Sequence, residues 1–316
     1  MTARFHQKLI LNDGRILGYA EYGNPTDYPL LYFQGYPSSR SEGWGFGKWP
    51  ECHGFRLIVP DRPGFGLFSY QPNRQILDWP ADVQALVSHL GLSQFAILGY
   101  SGGGPYAIAC AYLLPACILS AVAVVAGAPP WVAGIEDVTV SRKLLSRAAI
   151  YCPGTLEMVS NPLFLALRWI AESGPVTRWL NNWIDGMKRE KEKKAHEQQD
   201  AKEERLSTEE ARKRMLSTFL GVFVQGFGAA IQEARLLSQD WGFRFQDVPY
   251  SGMRIWHGTK DANAPVDMVR YMVKRLPQPV FHELEKNHYT IGHHLEEVIV
   301  DFVRNKVGKD DDGPCL

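Results

Sequence analysis

AILGYSGGGPYAIAC, residues 96–110, sets one serine among glycines at the junction of two apolar runs. Ser101 follows Gly99 and Tyr100, and three consecutive glycines, 102–104, come after it. A phosphate-binding loop, a membrane segment, or a nucleophile on a sharp turn could each place a hydroxyl at such a junction. The rest of the sequence distinguishes among these three possibilities.

Composition narrows the class of protein. A chain of 316 residues with 45% apolar content fits one large α/β domain with an insertion, or two small domains. Lys+Arg and Asp+Glu both number 34, so net charge does not attract nucleic acid, and we expect no nucleic-acid partner. The five cysteines are scattered and show no Cys-x-x-Cys spacing, which argues against a disulfide framework or a zinc site and favours a reducing compartment.

Two apolar segments bear on localisation. The N-terminal MTARFHQKLILNDGRILGY alternates like a strand and lacks the apolar core of a signal peptide. Residues 102–135 contain no charge and are long enough to span a bilayer, but Pro115 interrupts them. A buried helix followed by a buried parallel strand gives the same hydropathy. We therefore interpret this run as helix plus strand, and expect a soluble, cytoplasmic protein without a membrane partner.

Short apolar runs alternate with helical patterns along most of the chain. KLILNDGRILGYAEYG, residues 8–23, predicts a hairpin around Asn-Asp-Gly. Strands are predicted in PLLYFQG, RLIVPDRPG, QFAILGY, LSAVAVVAG, MRIWHG and PVFHELE, and helices in ILDWPADVQALVSHLG, PYAIACAYLL and HHLEEVIVDFVRNKV. A hairpin followed by this alternation predicts an α/β fold with a mainly parallel sheet that helices flank on both faces.

The alternation stops between residues 131 and 240. This segment has a helical pattern and predicts a helical cap inserted before the last two strands, so the core would comprise residues 1–130 and 241–316. Within it, residues 188–215 are almost wholly polar, as in a solvated helix or a flexible excursion. The segment is also rich in aromatic residues, which suggests a hydrophobic, ring-containing substrate: Phe164, Trp169, Trp179, Trp183, Phe219, Phe223 and Phe227.

The glycines around Ser101 do not fit a nucleotide site. No Lys-Ser/Thr pair follows them, as a Walker loop requires. Residues 102–107 match the G-x-G-x-x-A form of a dinucleotide fingerprint, but VAVVAGAPP, residues 122–130, lacks the carboxylate that would bind a ribose. We therefore expect no cofactor and no metal. GYSGG, residues 99–103, is a G-x-S-x-G motif between a strand and a helix, which favours Ser101 as a nucleophile.

A serine nucleophile needs a base and an orienting carboxylate. His288 follows the last predicted strand in EKNHYTIG and is the candidate base, with His293 and His294 as alternatives. Asp261, in IWHGTKDANAPV, follows the preceding strand and is the candidate carboxylate, with Asp267 as the fallback. The order Ser, Asp, His along the chain is the one that this topology requires.

Acyl transfer also needs donors for an oxyanion. The backbone amide of Gly102 is one candidate, and the amide of Tyr36, in QGYPSSR after a predicted strand, is the second. Gln34 and Tyr100 flank these positions in the sequence and are our candidate substrate-binding residues. The expected partner is a small-molecule substrate.

Six motifs in one order resemble the α/β-hydrolase superfamily: QGYPSSR, VPDRPGFG, DWPADVQALVSHLG, GYSGGGPYA, WHGTKDANAPV and NHYTIG. They resemble its capped branch, whose oxyanion loop reads HGxPxSR. The resemblance covers residues 10–130 and 245–305 and implies a Ser101, Asp261, His288 triad without a cofactor. A serine excludes the branches with an aspartate nucleophile. One position departs from the pattern, because Gln34 stands where the loop usually has histidine.

Two classes of function follow from this resemblance. Ser101 could attack an ester, thioester or lactone of a small hydrophobic metabolite and form an acyl-enzyme. Alternatively, the same pocket could serve a non-hydrolytic reaction, such as a cyclisation or a C–C bond cleavage in secondary metabolism. A binding protein without catalysis is the least favoured hypothesis, since all three triad positions are filled.

Overall fold

A single sheet of eight strands forms the centre of the part of the chain that the computed structural model describes, residues 2–198 and 207–307. Its strands are β1 (Gln7–Ile10), β2 (Ile16–Tyr22), β3 (Tyr28–Phe33), β4 (Phe55–Pro60), β5 (Phe95–Tyr100), β6 (Leu119–Val125), β7 (Arg254–Gly258) and β8 (Val280–Leu284). Their order is β1-β2-β4-β3-β5-β6-β7-β8. The pairs β1–β2 and β2–β4 are antiparallel and all the others are parallel, so the predicted mainly parallel sheet is confirmed.

The N-terminal hairpin forms where the sequence predicts it. Gly14 has a φ of 84°, which a glycine adopts without steric cost, and it completes the turn between β1 and β2. The amide of Leu11 donates to the carbonyl of Arg15 at 2.8 Å and closes the hairpin.

Ten α-helices accompany the sheet in the described residues. They are α1 (Trp49–His53), α2 (Trp79–His89), α3 (Gly104–Leu113), α4 (Val140–Tyr151), α5 (Pro153–Ala171), α6 (Gly174–Gln198), α7 (Thr208–Leu220), α8 (Gly228–Leu236), α9 (Val266–Val273) and α10 (Leu295–Val307). Helices α4–α8 lie between β6 and β7, before the last two strands. The boundaries of a separate cap at residues 131 and 240 stay a prediction.

Helices cover both faces of the sheet. Side chains that alternate along β3 point to opposite faces: Leu31 and Phe33 pack with α2, α3 and α9, whereas Leu30 and Tyr32 pack with α10. The uncharged run 102–135 contains α3, which is mostly buried, and β6, which is wholly buried, as the hydropathy argument predicts. In the described residues no single helix is long and apolar enough to cross a membrane, although the bent pair Thr208–Phe223 and Gly228–Leu236 passes that test jointly.

The aromatic residues of the 131–240 segment correct one expectation. Trp169, Trp179, Trp183 and Phe219 are exposed on the helices. Phe223 and Phe227 stack at 4.3 Å between ring centroids, and Phe164 packs edge-on against both. The exposed side chains therefore face solvent, whereas Phe223 and Phe227 also pack against buried residues that include Phe65 and Ala230. The sequence pattern alone could not assign these directions.

The charged segment 188–215 falls only partly within the described residues, since residues 199–206 lie outside them. Its described parts belong to α6 and α7. Arg214, on α7, places its guanidinium 4.6 Å from the ring centroid of Trp44. The C-terminal end of the segment thus contacts the residues that follow β3, which a purely solvated excursion would not do.

Strand register brings the ends of the parallel strands to one edge. Phe33 at the end of β3 pairs with Gly99, and Tyr100 at the end of β5 pairs with Val125 at the end of β6. Val125 in turn pairs with Trp256 on β7. The loops that carry the candidate functional residues therefore all begin at the same edge of the sheet, where open α/β sheets bind ligands.

Candidate active site

Ser101 occupies a sharp turn between β5 and α3. Its φ is 48°, a left-handed conformation that is uncommon for a residue other than glycine. A short 3₁₀ turn, Ser101–Gly103, leads into α3. Close packing explains the glycines, because a Cβ on Gly103 would stand 2.0 Å from the carbonyl oxygen of Phe33 and one on Gly99 would stand 2.7 Å from that of Gly103. The backbone of Ser101 is therefore strained at the point where its hydroxyl projects from the end of β5.

Three side chains form one hydrogen-bonded line at this edge. The Oγ of Ser101 lies 2.9 Å from Nε2 of His288. The Nδ1 of the same ring lies 2.7 Å from Oδ2 of Asp261. An ionised carboxylate only accepts hydrogen bonds, so Nδ1 carries the proton and Nε2 is left to accept from the serine hydroxyl.

Asp261 is also held through its other oxygen. Oδ1 accepts hydrogen bonds from the amides of Asn263 at 2.9 Å and Ala264 at 2.8 Å. The side chain has no exposed surface, and the two backbone donors fix the position of its carboxyl group. The carboxylate is therefore both oriented and shielded from water.

The alternative residues lie elsewhere. His294 faces Glu297 on α10, with 2.9 Å between Nδ1 and Oε2. His293 and His294 both belong to the 3₁₀ turn Thr290–His294, and neither is among the described residues that line the cavity beside Ser101. Asp267 forms an ion pair with Arg270 at 2.8 Å. The structure brings together the first-choice histidine and aspartate and leaves these three aside.

His257 is a neighbour for which the sequence pattern predicts only packing within a strand. It is fully buried on β7, its Nε2 donates to the carbonyl of Ala264 at 2.7 Å, and it lies 3.7 Å from Oδ2 of Asp261. Burial lowers the pKa of His257, so the ring stays neutral beside the aspartate near neutral pH. The sequence could not predict that His257 contacts Asp261, because this contact depends on the path of the loop that follows β7.

The two candidate oxyanion donors come from neighbouring loops. A Cβ on Gly102 would stand 3.1 Å from the amide nitrogen of Tyr36 and 2.6 Å from its Cβ, so the two backbones are adjacent beside Ser101. The hydroxyl of Tyr36 donates to the carbonyl of Ala230 on α8 at 2.8 Å. Burial raises the pKa of Tyr36, which keeps this phenol protonated.

A buried arginine fixes the loop that carries Tyr36. Arg62, in the DRPG turn after β4, donates to the carbonyls of Gln34 at 2.6 Å and Gly35 at 2.7 Å. Its Nε lies 2.8 Å from Oε1 of Glu233. The two atoms form an ion pair, but their geometry is not that of a hydrogen bond. Arg74 pairs with the other oxygen of Glu233. Glu233 on α8 is therefore the carboxylate that pairs with the arginine behind this loop. The sequence pattern did not identify Glu233 as a functional residue.

The two predicted substrate-binding residues do not line the cavity, which corrects that expectation. Gln34 has no exposed surface, and its side-chain atoms have no hydrogen-bond partner among the described residues. Tyr100 donates its hydroxyl to the carbonyl of His288 at 3.2 Å. The first is packed beneath the loop and the second supports the histidine, so neither is part of the wall around Ser101.

A cavity of about 210 Å³ opens beside Ser101 and His288. Helix α4 contributes Arg142, Leu145 and Ser146 to its wall, and α8 with the residues after it contributes Ala234, Leu237 and Ser238. Tyr36, Gly102, Ala128, Asn263 and Ala264 complete the described lining, which includes no aromatic residue of the 131–240 segment. Within the described residues, no group of three or more His, Cys, Asp or Glu side chains could hold a metal ion.

Comparisons with known proteins agree with this topology. A family model described as alpha/beta hydrolase fold matches residues 28–168. A non-heme haloperoxidase of Rhodococcus erythropolis is 30% identical over 94 residues, which are 29% of this chain and 34% of that protein. The match thus spans about a third of the relative's length, and that protein's activity is not carried over by it.

Solved structures resemble the chain over almost its full length. An esterase from Exiguobacterium antarcticum has a TM-score of 0.60 at 14% identity, covering 95% of this chain and 99% of that one. A bromoperoxidase from Bacillus anthracis has a TM-score of 0.61 at 16% identity, with the same coverage. At such identities the likeness establishes the fold alone. The chain has the α/β-hydrolase fold, as its motifs predict.

Proposed function

We propose that the protein is a serine hydrolase that cleaves an ester, thioester or lactone bond of a small molecule through an acyl-enzyme. The proposal rests on the hydrogen-bonded side chains Ser101, His288 and Asp261 at the wall of a cavity, with donor–acceptor distances of 2.9 Å (Ser101 to His288) and 2.7 Å (His288 to Asp261). The backbones of Tyr36 and Gly102 meet beside it. A nucleophile, a base held by a carboxylate, and two amides are the parts that acyl transfer needs.

The reaction follows from the protonation states. Ser101 Oγ attacks the carbonyl carbon while its proton passes to Nε2 of His288, and the negative charge on the carbonyl oxygen is stabilised by the amides of Tyr36 and Gly102. The tetrahedral species then collapses, and the leaving alkoxide or thiolate takes the proton from His288. A water molecule, deprotonated by His288, attacks the acyl-serine, and the proton returns to Ser101 as the acid is released.

The non-hydrolytic alternative, a cyclisation or a C–C bond cleavage, follows from the same resemblance and stays the second hypothesis. Gln34 adds no support to it, because this side chain is fully buried and does not line the cavity. The cytoplasm stays our proposed location. The four cysteines among the described residues are free thiols, which suits a reducing compartment.

Steady-state kinetics with small nitrophenyl esters, thioesters and lactones test the proposal. We expect the wild-type protein to turn over at least one class, and the substitution Ser101→Ala to lower kcat by about 10³-fold or more. The oxyanion donors would then supply only the residual rate. Unchanged turnover in Ser101→Ala would contradict the proposed nucleophile.

A further inference from the structure

Arg142 is the one arginine or lysine among the described residues that line the cavity. It lies in the first turn of α4, and it borders the same space as Ser101 and His288. Leu145 and Ser146, which lie one turn further along α4, border that space too. The positive charge is therefore inside the candidate active site.

The guanidinium of Arg142 forms no ion pair with a carboxylate among the described residues. It lies 5.9 Å from the ring centroid of Trp131. The charge that acts on it is that of Asp261, whose two oxygens already accept from His288 and from two backbone amides. Burial lowers the pKa of the Arg142 guanidinium, which is thus partly withdrawn from water without a counter-ion beside it.

The buried arginines among the described residues have carboxylate partners. Arg40 pairs with Asp61 at 2.8 Å, and Arg62 and Arg74 both pair with Glu233. The general rule is that a charge withdrawn from water has a counter-ion, because desolvating an unpaired one is costly. Arg142 departs from this rule at the place where a ligand would sit.

We infer that Arg142 binds a carboxylate of the substrate, so that the substrate is a small ester, thioester or lactone that carries a second, unesterified carboxylate. This inference rests on the proposed function. A guanidinium presents two parallel N–H donors that match a carboxylate, and the side chains of Asn263 and Ser146 in the same wall can add hydrogen bonds. The acyl chain between the two groups would contact Leu145 and Leu237.

The size of the cavity limits the length of that chain. Its volume of about 210 Å³ is below the roughly 300–1,000 Å³ of pockets for drug-sized ligands. The monoesters of short dicarboxylic acids are therefore the class that we expect to fill this space.

A pair of matched esters tests the inference. Monomethyl glutarate carries the second carboxylate, and methyl 5-methylhexanoate places an uncharged isopropyl group of similar shape at that position. We expect the wild-type kcat/KM to favour the anionic ester by about tenfold or more, because a charge-assisted hydrogen bond to a guanidinium is stronger than a neutral contact. Arg142→Gln should abolish this preference, lowering kcat/KM for the anionic ester by about tenfold more than kcat/KM for the neutral ester.

Arg147→Gln is the matched control, since Arg147 lies on the same helix but is exposed and outside the cavity wall. It should keep the wild-type preference. Equal turnover of the two esters by the wild-type protein, or an equal loss for both in Arg142→Gln, would overturn the anion site and leave the hydrolase proposal standing.

Binding of free glutarate, measured by calorimetry, provides a readout that does not depend on turnover. The wild-type protein and Arg147→Gln should bind glutarate at least about tenfold more tightly than Arg142→Gln does. If the wild-type protein turns over neither of these two esters nor any of the nitrophenyl esters, thioesters and lactones, but glutarate binds with this pattern, the proposed function fails and the anion site stands. Equal binding of glutarate by the three proteins would contradict the site itself.

Discussion

Asp261 is the residue on which the geometry of the candidate site depends most. One of its oxygens orients His288, and the other is fixed by two backbone amides of its own loop. The carboxylate therefore does not need an arginine, and its charge is available to stabilise the imidazolium that forms when Ser101 loses its proton. His257 stands next to it as a neutral ring and adds no positive charge to compete with His288.

Replacement Asp261→Asn should lower kcat by about 10²-fold to 10⁴-fold, because an amide facing Nδ1 favours the wrong tautomer of His288. Oδ1 of the asparagine can still accept from the two amides, so the thermal transition should change little. Steady-state kinetics with an ester that the wild-type protein hydrolyses check this. Asp267→Asn is the control, as Asp267 pairs with Arg270 away from the cavity. Retention of more than half of the wild-type activity in Asp261→Asn would be incompatible with its proposed role.

The turn between β5 and α3 is the element that presents the serine. It requires α3 to approach the end of β3 so closely that Gly103 contacts the carbonyl of Phe33. The left-handed φ of Ser101 costs about 1–3 kcal/mol and is maintained by this packing. The strained backbone of Ser101 therefore places its hydroxyl at the wall of the cavity.

A methyl group at Gly103 should disrupt this turn. We expect Gly103→Ala to lower the free energy of unfolding by about 3 kcal/mol, since its Cβ would meet backbone rather than a movable side chain. Gly186→Ala on α6 is the matched control, because nothing lies within 4 Å of a Cβ there and alanine favours a helix by about 0.5–1 kcal/mol. Urea unfolding compares the two. Equal stability of both variants would mean that the approach of this turn to the end of β3 is not tight.

Elements differ in how far their sequence predicts them. The strands and the residues that follow them could be predicted, because hydrophobic periodicity marks each strand and parallel strands end at one edge. Ser101, Asp261 and His288 all lie just after such strands. Arg142 and Glu233 could not be assigned, since they lie on helices of the 131–240 segment, and periodicity does not say which helix face covers the sheet edge. The exposure of the tryptophans in that segment could not be predicted for the same reason.

A buried ion network connects the 131–240 segment to the residues around the sheet. Glu233 on α8 pairs with Arg62 and Arg74, and the hydroxyl of Tyr106 on α3 donates to the same carboxylate at 2.8 Å. Arg62 also donates to the carbonyls of Gln34 and Gly35, so the loop that carries Tyr36 is linked to α3 and α8 through these charges. In contrast, the stretch 190–206 has Leu206 as its only large apolar residue, and by composition it cannot bury much surface.

Replacing residues 190–206 by a Gly/Ser linker of equal length should shift Tm by a few degrees or less. The Arg214→Ala variant should have a comparable effect on its own, because it removes a cation–π contact with Trp44 that contributes about 0.5–1 kcal/mol. Differential scanning calorimetry measures both. Loss of cooperative unfolding in the linker variant would show that the charged stretch supports the fold.

Covalent labelling of the nucleophile is the decisive measurement for the whole molecule. A small fluorophosphonate reacts with an activated serine and with little else, so the wild-type protein should gain the mass of one adduct, and peptide mapping should place it on Ser101. Ser101→Ala should stay unlabelled, and Asp261→Asn should label much more slowly. An adduct on any other residue, or a wild-type protein that no phosphonate modifies, would contradict the assignment of Ser101 as the nucleophile.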